Sequence, residues 1–339
     1  GFGIRWSNEF NSQCADLHDH AYTKWRQAVR PGAGAARIAS RKSIIALSPE
    51  MILEQGFGSA VPDLFGAIGG PPCTDFSVGG VNGGSAGMNG KLTGVYVAKL
   101  LRLKPTFFVL ENVPALKHNR KHGEYFRRKL RELSVDYHVH ERVLNALAFG
   151  VPQDRERLFV VGIRKTADPK CIPFEWPSDA RYANARALIW PKENSFGSRV
   201  EKPEGLPEEL MVYTAFGGKD GLEGLPNGAE WFQPHSKKFG RVPEGRVNTK
   251  SFKRLHRFRY SPTAWYGNNE VHLHPTEARR ISVRESLRLQ SVPDEYVLPE
   301  DAPLSAKFKL ICNGVPVVLA EKVAGAVRAH LSKIALLEN

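Results

Sequence analysis

Cysteine is scarce and scattered: Cys14, Cys73, Cys171 and Cys312 are the four among 339 residues, and no two form a Cys-x-x-Cys pair. A disulfide framework and a thiolate metal centre are both excluded, and the composition points to a reducing, cytosolic setting. Long apolar runs are missing too. No stretch approaches the roughly 18 to 20 residues that a membrane span needs, and no signal peptide is expected. Internal repeats and low-complexity tracts are likewise not found. Acidic side chains fall short of basic ones, 35 Asp+Glu against 48 Lys+Arg, leaving a net charge of +13. Such an excess suits a polyanionic partner, nucleic acid first, although ribosomal and membrane-surface proteins share it.

What is present is enough for a sizeable core. At 37.7 kDa the chain exceeds the roughly 250 to 300 residues at which a single core stops growing, so two lobes are expected. Up to about Arg164, apolar strand-like runs alternate with helical periods. The run from Asp63 to Ile68 reads as a buried parallel strand, Val95 to Leu103 as a helix, Thr106 to Leu110 as a strand, Gly123 to Leu133 as a basic helix, and Leu158 to Ile163 as another strand. That alternation predicts an α/β fold with a doubly wound, mostly parallel sheet. Composition shifts at Pro169 to Pro177, where Pro173, Trp176 and Pro177 mark a boundary. From about Ser178 to Asn269 the chain is rich in Gly, Pro and aromatics without sustained helical periodicity, and reads as an irregular, largely β or loop module. Ser282 to Gln290 then reads as a helix with Ser282 as N-cap and Glu285 completing a capping box, and Val317 to Ile334 as a final helix.

Chemistry concentrates at three strand ends. The segment Gly69-Gly70-Pro71-Pro72-Cys73-Thr74-Asp75-Phe76-Ser77 puts a thiol on the turn leaving a strand's carboxyl end, where open α/β sheets bind ligands. Two prolines fix the backbone before Cys73, and Gly79, Gly80, Gly83, Gly84, Gly87 and Gly90 after it form a stretch able to act as a lid. A rigidly posted thiol reads as a nucleophile; the competing reading is a cysteine that merely packs. The strand 106 to 110 ends in Glu111-Asn112-Val113-Pro114, whose carboxylate could otherwise cap a turn or pair with Lys117. Gln153-Asp154-Arg155-Glu156-Arg157 offers two guanidinium groups two residues apart, on one side if extended, or salt bridges with Asp154 or Glu156. Between His235 and Tyr260 lie Lys237, Lys238, Arg241, Arg246, Lys250, Lys253, Arg254, Arg257 and Arg259 against Glu244, interleaved with Phe239, Phe252, Phe258 and Tyr260. Phosphate neutralisation with aromatic stacking accounts for this cluster; a solvated charged face is the plainer alternative.

Together these residues resemble the DNA cytosine-5 methyltransferase family. The carrying motifs are Pro71-Pro72-Cys73 with Phe76-Ser77, Glu111-Asn112-Val113, Gln153 with Arg155 and Arg157, Arg279-Arg280-Ile281-Ser282-Val283-Arg284-Glu285 with Leu289-Gln290, and Asn313-Gly314-Val315-Pro316. They stand in the family's order and span nearly the whole chain. The resemblance implies a Rossmann-like S-adenosylmethionine-dependent methyltransferase sheet over 1–177, a target-recognition domain over 178–271, and a segment 272–339 returning to the catalytic domain. It implies that Cys73 attacks C6 of a flipped-out cytosine, that Glu111 holds N3 and the exocyclic amine, that Arg157 contacts O2, and that Arg155 supports the pocket. Pro72, Ser77, Asn112 and Gln153 would line the substrate site. Glu9 looks like the acid that binds the ribose hydroxyls of S-adenosyl-L-methionine, with Pro71, Leu92, Asn313 and Val315 as further cofactor contacts. Lys237, Lys238, Arg241 and Arg246 would meet DNA, with Arg199 and Lys219 as further candidates. The expected partner is double-stranded DNA bound by a monomer, with no membrane and no metal, in the cytoplasm or, in a eukaryote, the nucleus.

Two departures stand out. The family's opening Phe-x-Gly-x-Gly strand has no counterpart here, since Gly1-Phe2-Gly3 stands too near Glu9, so a catalytic domain short of one central cofactor strand is expected. Cys312 occupies a position where the family prefers glycine. A catalytically silent DNA-binding relative and a tRNA-directed relative remain open beside the DNA methyltransferase, although retention of Cys73, Glu111 and Arg157 weighs against silence and the large basic module suits a duplex.

Overall fold

The computed structural model describes residues 2–35, 37–72, 88–118, 120–222, 224–263 and 271–334. Cys73, Ser77 and the glycine-rich stretch as far as Gly87 lie outside the described residues. In chain order the elements are α1 (Ser12–Val29), α2 (Pro49–Phe57), β1 (Gly66–Gly69), α3 (Met88–Leu103), β2 (Phe107–Asn112), α4 (Ala115–His118), α5 (Arg120–Leu133), β3 (Tyr137–Asn145), β4 (Gln153–Asp154) and β5 (Glu156–Arg164). After them come α6 (Val212–Ala215), β6 (Ser261–Pro262), α7 (Val283–Arg288), α8 (Leu304–Asn313) and α9 (Val317–Lys333).

Four consecutive apolar residues, Phe107 to Leu110, suit only a strand covered on both faces, and β2 is that strand. Its alternation sorts the core. Phe107 and Val109 face α9 with Phe159, Val161, Leu319, Val323 and Val327, whereas Phe108 and Leu110 face α3 and α5 with Val97, Leu100, Phe126 and Leu133. Gly162 lies under the Phe108 ring, where a Cβ would stand 2.0 Å from it, so glycine is required for the two strands to pair.

The sheet order is β1-β2-β5-β3. β1 runs parallel to β2, but β2–β5 and β3–β5 are antiparallel, so this sheet is mixed rather than mostly parallel. The connection between β3 and β5 explains the difference. It is too short for a crossover, which takes about a dozen or more residues, and a hairpin is the remaining solution. Strand β3 itself has no strong sequence signal, because His138, His140, Glu141 and Arg142 are polar, and on the outer edge of the sheet the two histidines are partly buried and Glu141 and Arg142 exposed. β1 departs from expectation in another way. It reads as buried, yet Ile68 is 68% exposed and β1 has one neighbour among the described residues.

Among the described residues between 178 and 263 the chain is loop and short 3-10 turns apart from the single turn of α6, with almost no β structure beyond β6, which pairs with β4. A small core of Leu210, Met211, Trp190, Phe258 and Tyr260 supports it. A larger cluster joins Leu17 and Ala21 of α1 to Phe216, Leu255, Leu287 and Phe308, so the first helix packs on the C-terminal segment. The capping box at α7 forms as expected, Ser282 Oγ accepting from Glu285 N and the Glu285 carboxylate accepting from Ser282 N. Leu304–Lys333 is apolar enough to cross a membrane by length and composition, contrary to the expectation from apolar runs. It is broken into α8 and α9 at Gly314–Pro316, and α9 lays Leu319, Val323, Val327 and Leu331 on the sheet.

Candidate active site

Parallel pairing of β1 with β2 brings their carboxyl ends to one edge. From the first come Gly70, Pro71 and Pro72; from the second come Glu111 and Asn112. The Asn112 amide pins the two together, its Nδ2 donating to Pro71 O at 3.1 Å while its Oδ1 accepts from Val113 N at 2.9 Å. Arg157, at the start of β5, reaches across so that its Nε meets Glu111 Oε1 at 2.8 Å, with both side chains largely buried (10% and 18% exposed). Burial pushes the Glu111 carboxyl up from its ordinary range, with Arg157 and then Arg155 pulling against it. A Cβ on Gly70 would sit 3.0 Å from Glu111 Oε2, so the turn carries glycine where it passes the carboxylate. Lys117 does not take Glu111; it pairs with Glu141 at 2.6 Å.

Arg155 points elsewhere. It is fully buried, and its NH2 donates to Cys312 O at 2.5 Å and Gly314 O at 2.8 Å. Gln290 braces the same turn, Nε2 donating to Ile311 O and its own carbonyl accepting from Val317 N. Asn313, exposed, and Val315, half-buried, are therefore carried on a clamped junction between α8 and α9. Gln153 is fully buried, and neither its oxygen nor its nitrogen has a hydrogen-bond partner among the described residues. Asp154 and Glu156 are taken by Arg186, at 2.5 and 2.7 Å, and not by Arg155 or Arg157. Arg186 was missed from sequence, and the spacing of 30 residues or more gives no local signal for it.

Glu9 sits beyond the isolated parallel bridge between Asn8 and Ser40, its N donating to Ser40 O at 3.2 Å and its Oε1 accepting from Asn11 N at 2.7 Å. Leu92 is half-buried on α3. A half-buried carboxylate with one oxygen uncommitted among the described residues, a leucine, an amide and a valine are the group types a ribose, an adenine and an amino-acid moiety need, so these residues fit an S-adenosylmethionine-type cofactor in chemistry.

The basic cluster divides. Arg254 is buried and donates to the carbonyl oxygens of Val242, Phe239, His274 and Glu277; burial holds its guanidinium down to about 10. Arg257 is bound by the fully buried Glu244 at 2.7 Å, and Arg246 is held at the surface by Glu193 at 2.9 Å. These three hold the module together. Lys237, Lys238, Arg241 and Lys250 are exposed, as is Arg199. Lys219 lines a groove of about 1220 Å³ with Trp231, His274 and Arg279, and neither Glu111 nor Arg157 borders it.

A mixed α/β sheet bearing helices on both faces, with an acid and a proline turn at one carboxyl edge, is the Rossmann-like methyltransferase arrangement. Solved structures agree on the fold. A putative DNA modification methyltransferase from an E. coli prophage superposes with TM-score 0.62 at 22% identity, covering 98% of this chain and 94% of that one. S. pombe Dnmt2 methyltransferase superposes with TM-score 0.57 at 14% identity, covering 99% and 92%. Residues 59–329 match the profile described as C-5 cytosine-specific DNA methylase. The chain belongs to that family, whose methyl donor is S-adenosyl-L-methionine. Among its relatives, the type II methyltransferase M.NmeDI of Neisseria meningitidis serogroup C is 43% identical over 271 residues, covering 79% of this chain and 64% of that protein. M.MthTI of Methanothermobacter thermautotrophicus, also a type II methyltransferase, is 30% identical over 290 residues, covering 81% and 82%.

Proposed function

We propose that the chain is a type II DNA cytosine-5 methyltransferase acting on duplex DNA as a monomer in the cytoplasm, with 1–177 and 272–339 forming the catalytic part and 178–271 the recognition domain. The observation that supports it most directly is the buried Glu111–Arg157 pair held beside the Pro71 turn by Asn112. A cytosine in a duplex hides both faces of its ring in the stack, so it must be flipped out, at a cost of about a few kcal/mol. Arg157 then contacts the base oxygen O2, and Glu111, its carboxyl raised by burial, donates a proton to N3 and accepts from the exocyclic amine. The Cys73 thiolate bonds C6 as the C5–C6 π pair moves to C5, making that carbon electron-rich. S-adenosyl-L-methionine, which Glu9, Pro71, Leu92, Asn313 and Val315 would hold, would supply an electrophilic methyl for C5 and leave as S-adenosylhomocysteine. Loss of the C5 proton to a base then expels the thiolate, and return of the N3 proton to the Glu111 carboxylate restores the neutral ring and the proton donor. Pro72, Ser77, Asn112 and Gln153 line the substrate side, Arg155 positions the cofactor turn through Cys312 O and Gly314 O, and Lys237, Lys238 and Arg241 meet the phosphates.

The test pairs labelled cofactor with duplex DNA or with tRNA, and adds DNA carrying 5-fluorocytosine. Methyl transfer to duplex DNA and a covalent 5-fluorocytosine complex that Cys73→Ser abolishes are expected. Transfer to tRNA alone, or to neither, overturns the reading, and a cross-link that survives Cys73→Ser removes the nucleophile.

A further inference from the structure

Eight arginines lie between 178 and 263. Four are paired with carboxylates: Arg181 with Glu209, Arg186 with Asp154 and Glu156, Arg246 with Glu193, and Arg257 with Glu244. Arg254 is buried among carbonyl oxygens, and Arg199 and Arg241 lie exposed. Arg259 is unlike all of these. It is half-buried, its guanidinium carbon sits 5.2 Å from the centroid of the Tyr260 ring, and it has no carboxylate partner among the described residues.

The arginine is also held in place. Tyr260 packs edge-on against Trp190, with centroids 5.3 Å apart and planes at 84°, and Trp190 Nε1 donates to Ala185 O at 2.7 Å. The Arg259 main chain is fixed at both groups, N donating to His256 O at 3.2 Å and O accepting from Val212 N at 2.9 Å. The side chain borders a pocket of about 190 Å³ that it shares with Asp154, Asn248 and Pro262, at the seam where β4 pairs with β6. Asp154 cannot neutralise it, because Arg186 and the Asn145 amide already occupy that carboxylate. A ring-held guanidinium whose hydrogen-bond donors have no partner among the described residues, facing a seam pocket, is preorganised for a planar two-acceptor partner.

We propose that Arg259 reads a guanine of the target duplex, donating two N–H groups to O6 and N7 on its major-groove edge. This rests on the DNA methyltransferase reading above. The full chain is incubated with S-adenosyl-L-methionine and a randomised duplex library, and methylated cytosines are read with their flanks by bisulfite sequencing. The wild-type chain selects a consensus containing guanine. Arg259→Ala and Arg259→Lys lose discrimination at one guanine position by about 5- to 150-fold and keep the others. Placing 7-deazaguanine there slows the wild type about tenfold and leaves Arg259→Ala unaffected. If Arg259→Ala does not fold, Arg259→Lys, which keeps the charge over the ring, supplies the comparison. Unchanged consensus in both variants, or equal 7-deazaguanine effects in wild type and variant at every position, overturns the proposal. A wild-type chain that methylates no cytosine sinks the functional reading instead; selection of bound duplexes from the same library, with and without 7-deazaguanine, then still decides Arg259.

Discussion

Glu111 is asked to be a proton donor, and its surroundings are built for that. Burial disfavours its charge, Arg157 partly restores it, and the balance leaves the carboxyl above the ordinary range. The folded chain therefore holds that proton more tightly than the unfolded chain does. The resulting stabilisation is complete below the unfolded pKa of about 4.3 and is lost as pH rises through the folded value. Arg157→Met removes the opposing cation and strands the carboxylate, so in urea unfolding the variant's deficit should be larger at pH 8, about 3 kcal/mol, than at pH 5. Equal deficits at both pH values would show that the pair is not electrostatically coupled. Gly70 makes a second residue-scale prediction. An added methyl would press on Glu111 Oε2 from 3.0 Å, and Arg157 leaves the carboxylate little freedom to retreat. Gly70→Ala should lower kcat about tenfold with KM for DNA within about twofold, because a displacement of a few tenths of an ångström misaligns the donor without touching the duplex. An unchanged kcat would remove Gly70 from the argument.

Among elements, the junction of α8 and α9 links motif to fold. Arg155 fastens it by two carbonyl oxygens more than 150 residues away in sequence. Arg155→Met leaves those carbonyls and the buried turn without their donor. Stability should fall by about 2 kcal/mol, and KM for the cofactor should rise more than KM for DNA, since Asn313 and Val315 ride on this turn. A rise confined to DNA would place Arg155 at the base pocket instead. Local rules made some elements readable in advance. The capping box starts α7 where Ser282 and Glu285 put it, and Ser282→Ala should cost about 1 kcal/mol by urea unfolding. Other elements were hidden for physical reasons. β3 has a polar outer strand's pattern, and the direction of β5 is fixed by a loop length, not by any residue type. Arg155 looked like a twin of Arg157 because spacing alone sets both on one side. Only a carbonyl pair from the far end of the chain tells them apart.

At the scale of the molecule, charge was legible in amount but not in allocation. A net +13 with a basic cluster at 235–260 reads as a phosphate-binding face, yet Arg254 and Arg257 are turned inward to hold a module that has little regular structure of its own. Such loops need internal anchors, and guanidinium groups bonded to carbonyls and to a buried Glu244 supply them. The cations left for DNA are those the fold leaves exposed, Lys237, Lys238 and Arg241 foremost, with Arg246 tied to Glu193. Each phosphate contact releases a counterion, so the slope of log affinity against log salt counts them. Replacing Lys237, Lys238 and Arg241 together by glutamine should flatten that slope by about 3 for duplex DNA between roughly 50 and 200 mM salt, measured by fluorescence anisotropy. Arg246→Gln should change it by less than 1, because its charge is already matched. Arg254→Gln should instead lower the unfolding midpoint, since the carbonyls of Phe239 and Val242 would lose a charged donor. A triple variant that keeps the wild-type slope would move the DNA face away from this turn, and the exposed Arg199 and Lys219 would be the next pair to neutralise.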